Sequence, residues 1–201
     1  AADLAHPCGD VARWRAAGLL QPFDRDRLPV LDQLIPELVA MDAGAVDADG
    51  RIWFLPFDWG NPALVYNTEA VAAETVASLQ AFADPQFAGR VSMPDNADDG
   101  FALGLLAVGV ADWNAATDAQ WDEAAAFLRR VHANVRFYWQ DSTELNQAMS
   151  GPEVDLASSW NSTPTQLANE GEPVAMRLDT AEGNSTWVCG LVPLAGSTAD
   201  P

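Results

Sequence analysis

The stretch that decides the fold class is NVRFYWQDSTELNQAMSGPEVDLASSWNSTPTQLAN, residues 134–169. It reads as a strand over Asn134–Trp139, a helix over Ser142–Met149, a strand over Val154–Trp160 and a helix over Ser162–Asn169. Strands and helices that alternate in this way predict an α/β protein with mostly parallel sheets. In such proteins ligands sit beyond the carboxyl ends of the strands, so the loops that follow strands are the places to look for function.

The same alternation continues outward. Upstream, Asp118–Val131 carries Trp121, Ala124, Ala125, Leu128 and Val131 at helical spacing, with charges opposite. Before it come a strand over Arg90–Pro94, the run AspAsnAlaAspAsp, and a helix from about Asp98 to Val108 whose leading acids suit its positive end. Residues 68–89 read as short helices. Arg51–Phe57 and Ala63–Asn67 read as strands around a Gly/Pro turn, and Leu28–Met41 as an apolar stretch broken by Pro36. Asp10 is placed to cap a helix with Val11, Trp14 and Ala17 on one face, closed by Gly18. Downstream, Pro173–Leu178 and Thr186–Leu194 read as the last strands. The chain opens on what reads as the end of a strand, Ala2–His6, and stops soon after another, which is the pattern expected of a fragment of a longer protein. Its apolar runs fall short of the roughly 18 residues of a membrane span, and its first residues do not form a signal peptide.

Composition narrows the function. The chain has 201 residues, with 10 Lys+Arg against 29 Asp+Glu and a formal net charge of −19, which argues against nucleic acid as a partner. All the basic residues are Arg. A GC-rich genome and a salt-adapted surface explain this equally well. The patterns GxGxxG, GxxxxGK[ST], HExxH and GxSxG are absent, and the two His are His6 and His132. His6 with Cys8 makes only a thin case for a nucleophilic site. The two cysteines, Cys8 and Cys189, have no metal-type spacing, and from the residues alone they are either a pair or two buried thiols. No catalytic residue, cofactor or metal is expected. Of the eight Trp, Trp14, Trp53 and Trp121 are expected to fill cores, whereas Trp160 and Trp187 lie at the end and the start of strands, where an α/β ligand site opens. Asp98 and Asp99 follow a strand directly and read equally as helix caps or as ligand groups. Carboxylates beside Trp faces suit a cation.

Five segments together carry a family resemblance: LPFDWGNPALVYN (55–67), FAGRVSMPDNADD (87–99), NVRFYWQ (134–140), GPEVDLASSWN (151–161) and EGNSTWVCG (182–190). In order, and across essentially the whole chain, they resemble bacterial spermidine/putrescine-binding proteins, the extracytoplasmic solute receptors of ABC transporters. The resemblance implies a two-lobed periplasmic-binding-protein fold, type II-like and present here as a truncated chain, that closes on its ligand. Residues 1–67 and 187–201 would form part of the first lobe and 70–184 the second, with hinge crossings near 67–70 and 184–187. It further implies a monomer at the periplasmic or extracellular face of the membrane, a small cationic solute, and permease subunits as partners.

Carried over by position, the resemblance makes Asp99 the carboxylate that receives an amine, puts Asn96 near a second acid, and makes Trp160 and Trp187 aromatic walls. Cys189 stands where polyamine binders carry an Asp, and Cys8 where they carry a small hydroxyl residue. Both would line the same lobe beside the cleft, close enough to bond. Burying an amine without its carboxylate is costly, so either another acid such as Asp10 substitutes or the ligand has fewer amines. The alternatives are the same fold with an amino-acid-like, thiamine-like, sulfonate or metal ligand, and a clamp-fold enzyme.

Overall fold

The computed structural model describes residues 2–42, 44–151 and 153–197. In chain order its elements are β1 (Leu4–Ala5), α1 (Val11–Ala16), α2 (Pro36–Met41), β2 (Leu55–Gly60), β3 (Pro62–Asn67), β4 (Val91–Pro94), α3 (Ala97–Ala107), α4 (Asp118–Asn134), β5 (Val135–Trp139), α5 (Ser142–Ser150), β6 (Leu156–Trp160), α6 (Ser162–Asn169), β7 (Val174–Arg177) and β8 (Trp187–Pro193). The chain divides into two units, one made of the chain up to Gly60 and from Trp187 onward, the other of Asn61–Thr186.

The first unit holds a three-stranded sheet in the order β1-β8-β2, antiparallel throughout. Its middle strand comes from the far end of the chain. Val188 and Val192 of that strand pack with Val11, Leu20, Ala45 and Phe54, and Phe54 is fully buried. Gly190 is required by this packing, because a Cβ there would run into the Leu55 carbonyl oxygen and the Phe54 ring. Cys8 and Cys189 form a disulfide with a Cα separation of 3.9 Å, which ties the β1–α1 connection to the middle strand. One residue away, the Gly190 amide donates to the Pro7 carbonyl at 3.0 Å.

Two local expectations for this unit are corrected. Asp10 occupies the N-cap position of α1 but makes no capping bond; its backbone is left-handed at φ 63, and its carboxylate pairs with Arg13 at 3.1 Å. Gly18, at φ 68, does close that helix. Pro36 begins α2 instead of interrupting it, because a proline at the first helical position lacks only an N–H that would have had no partner there.

The second unit holds a five-stranded sheet in the order β5-β4-β6-β3-β7. β4 runs parallel to β5 and β6, while β3 runs antiparallel to β6 and β7. The expected mostly parallel sheet is thus corrected to a mixed one. β4, β5, β6 and β7 all point the same way, joined by helical crossovers, and the reversal of the single strand β3 between β6 and β7 makes two of the sheet's four pairings antiparallel. These pairings also put β3 in the second unit, although the sequence reading assigned residues up to 67 to the first lobe.

β3 is buried on both faces. Leu64 and Tyr66 join one cluster with Val76, Phe82, Val91 and Phe127, and Ala63 and Val65 join another with Trp139, Leu145, Met149 and Leu167. In α4 the fully buried residues are Ala124, Phe127, Val131 and Asn134, and Leu128 packs half-buried against the same core as expected, while Phe127 is a core residue the expected stripe left out. A capping box between Thr117 and Gln120 starts that helix. At its end Asn134 is buried and donates to the carbonyls of Phe82 at 3.0 Å and Asp84 at 2.8 Å. Trp14 and Trp53 pack against the first unit's core and Trp121 against a small cluster at α4, as expected.

The disulfide joins positions separated by 181 residues. Reducing it, or replacing both cysteines by Ser, should lower the unfolding free energy by about 2–4 kcal/mol. Denaturant unfolding with and without a thiol reductant checks this, and coincident curves would contradict it.

Candidate functional site

The carboxyl ends of β4, β5 and β6 lie together at one edge of the second unit's sheet, as the pairing requires. β4 leads into α3, whose N-cap is Asn96. The Asn96 side-chain oxygen accepts from the Asp98 amide at 2.8 Å and the Asp99 amide at 3.5 Å. Asn96 is therefore the cap, a role the sequence reading left to Asp98 and Asp99. The Asp95 amide donates to the Trp139 carbonyl at 2.9 Å, and its carboxylate accepts from the Gln140 side chain at 3.0 Å. These bonds fix the β4–α3 connection against the end of β5.

Asp99 is half-buried in the first turn of α3 and has no cationic side chain paired to it among the described residues. Burial first, and then the neighbouring Asp98 carboxylate, push its carboxyl above the ordinary carboxylate range. Asp99 lines a pocket inside this unit together with Pro62, Leu103, Ser158, Arg177 and Thr180, with an empty volume of about 360 Å³, open solvent included. Arg177 brings positive charge to the same pocket but is engaged by the Ala73 carbonyl at 2.9 Å and the Asp179 carboxylate at 3.2 Å.

Trp160 ends β6 opposite Pro62 and is 37% exposed. It stands edge-on to Trp139, with ring centroids 5.1 Å apart and planes at 87°. Trp139 is buried and donates its indole N–H to the Ser158 carbonyl at 3.0 Å. The buried ring thus fixes the exposed one, and Trp160 offers a rigid face whose π cloud suits a cation or a methylene chain. The structure brings Asp99, Ser158 and Pro62 to one pocket and leaves Trp160 beside it, in register with Pro62.

In the first unit, Trp187 begins β8 opposite Gly60; its indole nitrogen is buried and has no hydrogen-bond acceptor among the described residues. Cys189 faces Asp58 across the β2–β8 register, and His6 pairs with the Asp58 carboxylate at 2.8 Å. Both cysteine sulfurs are spent in the disulfide, so the idea of a Cys8 nucleophile beside His6 is overturned. Asp10, proposed as a substitute acid, is exposed and already paired with Arg13. Asp58 and Trp139 escaped the sequence reading. An acid between aromatic residues in ProPheAspTrpGly was the signal for Asp58, whereas the role of Trp139 depends on tertiary packing.

Residues 2–200 match the family of bacterial extracellular solute-binding proteins, and the chain belongs to that family. It is 29% identical over 178 residues to a spermidine/putrescine-binding periplasmic protein of Haemophilus influenzae, a match covering 89% of this chain and 47% of that protein. Among solved structures, it is similar to the TpPotD lipoprotein of Treponema pallidum, with TM-score 0.83 at 17% identity over 98% of this chain and 60% of that one. A spermidine/putrescine ABC transporter substrate-binding protein from Streptococcus pneumoniae matches with TM-score 0.76 at 19% identity, over 96% of this chain and 57% of that one. The chain spans about half the length of the curated relatives it matches. These relatives are binding proteins and not enzymes. Among the described residues no helix is long and apolar enough to cross a membrane.

The raised carboxyl of Asp99 has a consequence for stability. As pH rises, the unfolded chain ionises this group first, so the folded state loses ground between the unfolded and folded values and carries the whole penalty above both. Asp99→Asn should therefore stabilise the ligand-free protein at about pH 7 and leave it unchanged at about pH 3, below the ordinary carboxyl value. Unfolding midpoints at the two pH values check this; a destabilised variant at neutral pH would contradict it.

Proposed function

We propose that this chain is the ligand-binding part of an extracytoplasmic receptor that captures a small amine and delivers it to the permease of an ABC transporter. The observation that carries this reading is Asp99, a half-buried carboxylate without a cationic partner among the described residues, lining a pocket with apolar walls. An ammonium group supplies what that carboxylate lacks. It offsets the burial cost, favours the ionised form and forms a charge-assisted hydrogen bond. Trp160, held by Trp139, supplies a face for the cation or for the adjoining methylenes. Relatives named for spermidine and putrescine support a polyamine as the solute.

One observation favours a second reading of the ligand. Cys189, where the resemblance implies a second amine-binding acid, is locked in a disulfide and carries no charge. A solute with a single ammonium group, amino-acid-like in size, then fits better than one with two or more.

Calorimetric titration of the full-length protein with putrescine, spermidine and a monoamine separates the two readings. Asp99→Asn should weaken binding of whichever amine is taken by at least about tenfold, equivalent to 1.4 kcal/mol. Trp160→Ala should cost about 0.5–2 kcal/mol. Unchanged affinity in Asp99→Asn would overturn the ionic anchor.

A further inference from the structure

A single residue, Asn61, separates β2 from β3, and the boundary between the two units falls just before it. The chain returns across that boundary between Thr186 and Trp187. Asn61 makes four hydrogen bonds. Its side-chain amide donates to the Ser185 carbonyl at 2.8 Å and to the Thr186 hydroxyl at 2.9 Å. Its backbone N–H donates to the Asn161 side-chain oxygen at 3.2 Å, and its carbonyl accepts from the Asn161 amide at 3.0 Å. Its partners thus come from the segment that leaves the second unit and from the residue that follows Trp160.

These bonds differ from ordinary sheet pairing. β3 pairs with β6 from Pro62 onward, and Pro62 has no N–H to give, so the ladder has no donor there. Asn61 extends the attachment one residue further and adds two side-chain bonds to the 185–186 segment, which belongs to no strand of the sheet. On the other side of the boundary Gly60 faces Trp187 in the β2–β8 register. The outgoing and returning strands are therefore held side by side both before and after the boundary.

We propose that Asn61 is a positioning residue, a clasp that holds both chain crossings to the end of β6, so that the crossings and the aromatic wall at Trp160 shift as one piece. An apolar or acidic residue at this position removes the clasp. The side-chain donors vanish in Asn61→Ala, and in Asn61→Asp, which keeps the shape, a carboxylate faces the Ser185 carbonyl.

The test is fluorine NMR of the full-length, ligand-free protein carrying 5-fluorotryptophan at its eight Trp, with Trp160 and Trp187 assigned by Trp→Phe variants. Asn61→Ala should broaden the Trp160 and Trp187 lines roughly twofold through added slow motion, while those of Trp14, Trp113 and Trp121 stay unchanged. Thr186→Val, which removes one acceptor, should affect Trp187 more than Trp160. Unaltered Trp160 and Trp187 lines overturn the proposal. So does an equal change at all eight Trp with a lowered melting point, which marks a merely structural role, or a change at Trp187 alone in Asn61→Ala. If Asn61→Ala does not fold, Asn61→Asp decides by the same lines. Because no solute is present, the outcome is independent of the ligand reading.

Discussion

β8 enters the first unit's sheet between β1 and β2, although 126 residues of the second unit, Asn61–Thr186, lie between it and its neighbour β2. Without β8, neither β1 nor β2 has a partner in that sheet, and Phe54 loses the strand that Gly190 allows to approach it. The first unit therefore cannot be completed until the chain has gone out and come back. Closing so long a loop costs entropy, and the Cys8–Cys189 bond removes much of that cost by restricting the unfolded chain.

The second unit, by contrast, is continuous in sequence and depends on a reversed strand. β3 lies between β6 and β7, buried on both faces, and brings Pro62 to the edge where the other strands end. That edge carries the Asn96 cap, the Asp99 carboxyl and the Trp139–Trp160 pair. Each has a different physical status. Asn96 is satisfied by the helix it caps, and Trp139 by the Ser158 carbonyl. Asp99 alone among them carries an unmet need, and its raised carboxyl is the thermodynamic expression of it. A group held at a cost to the folded state is a natural place for a ligand to repay that cost.

Much of this was legible in the sequence. The helix Ser162–Asn169 falls where it was read, and β4, β5 and β6 within a residue or two, because their apolar runs and breaks are local signals. Strand direction is not a local signal: the hydrophobic pattern of Ala63–Asn67 reads the same in a parallel or an antiparallel setting, so the mixed sheet was missed. Asp10 and Pro36 misled for a related reason, since each residue type allows several roles: Asp10 takes a left-handed backbone and pairs with Arg13 instead of capping, and Pro36 starts a helix instead of breaking one. The pairing of Cys8 with Cys189 was implied by the family resemblance and not by spacing. In the second unit Asp99 and Trp160 could be singled out from their places after strands, but the lack of a cationic partner at Asp99 and the ring that braces Trp160 depend on packing across strands.

The central claim is that the molecule recognises an ammonium group, and thermal unfolding of the full-length protein with a panel of solutes tests it most directly. Selective binding to the folded state must raise the midpoint. A rise with putrescine, spermidine or a monoamine, but not with sulfonates or neutral analogues of the same length, is the predicted result. No change with any amine, together with a rise with a sulfonate or a neutral solute, would contradict it.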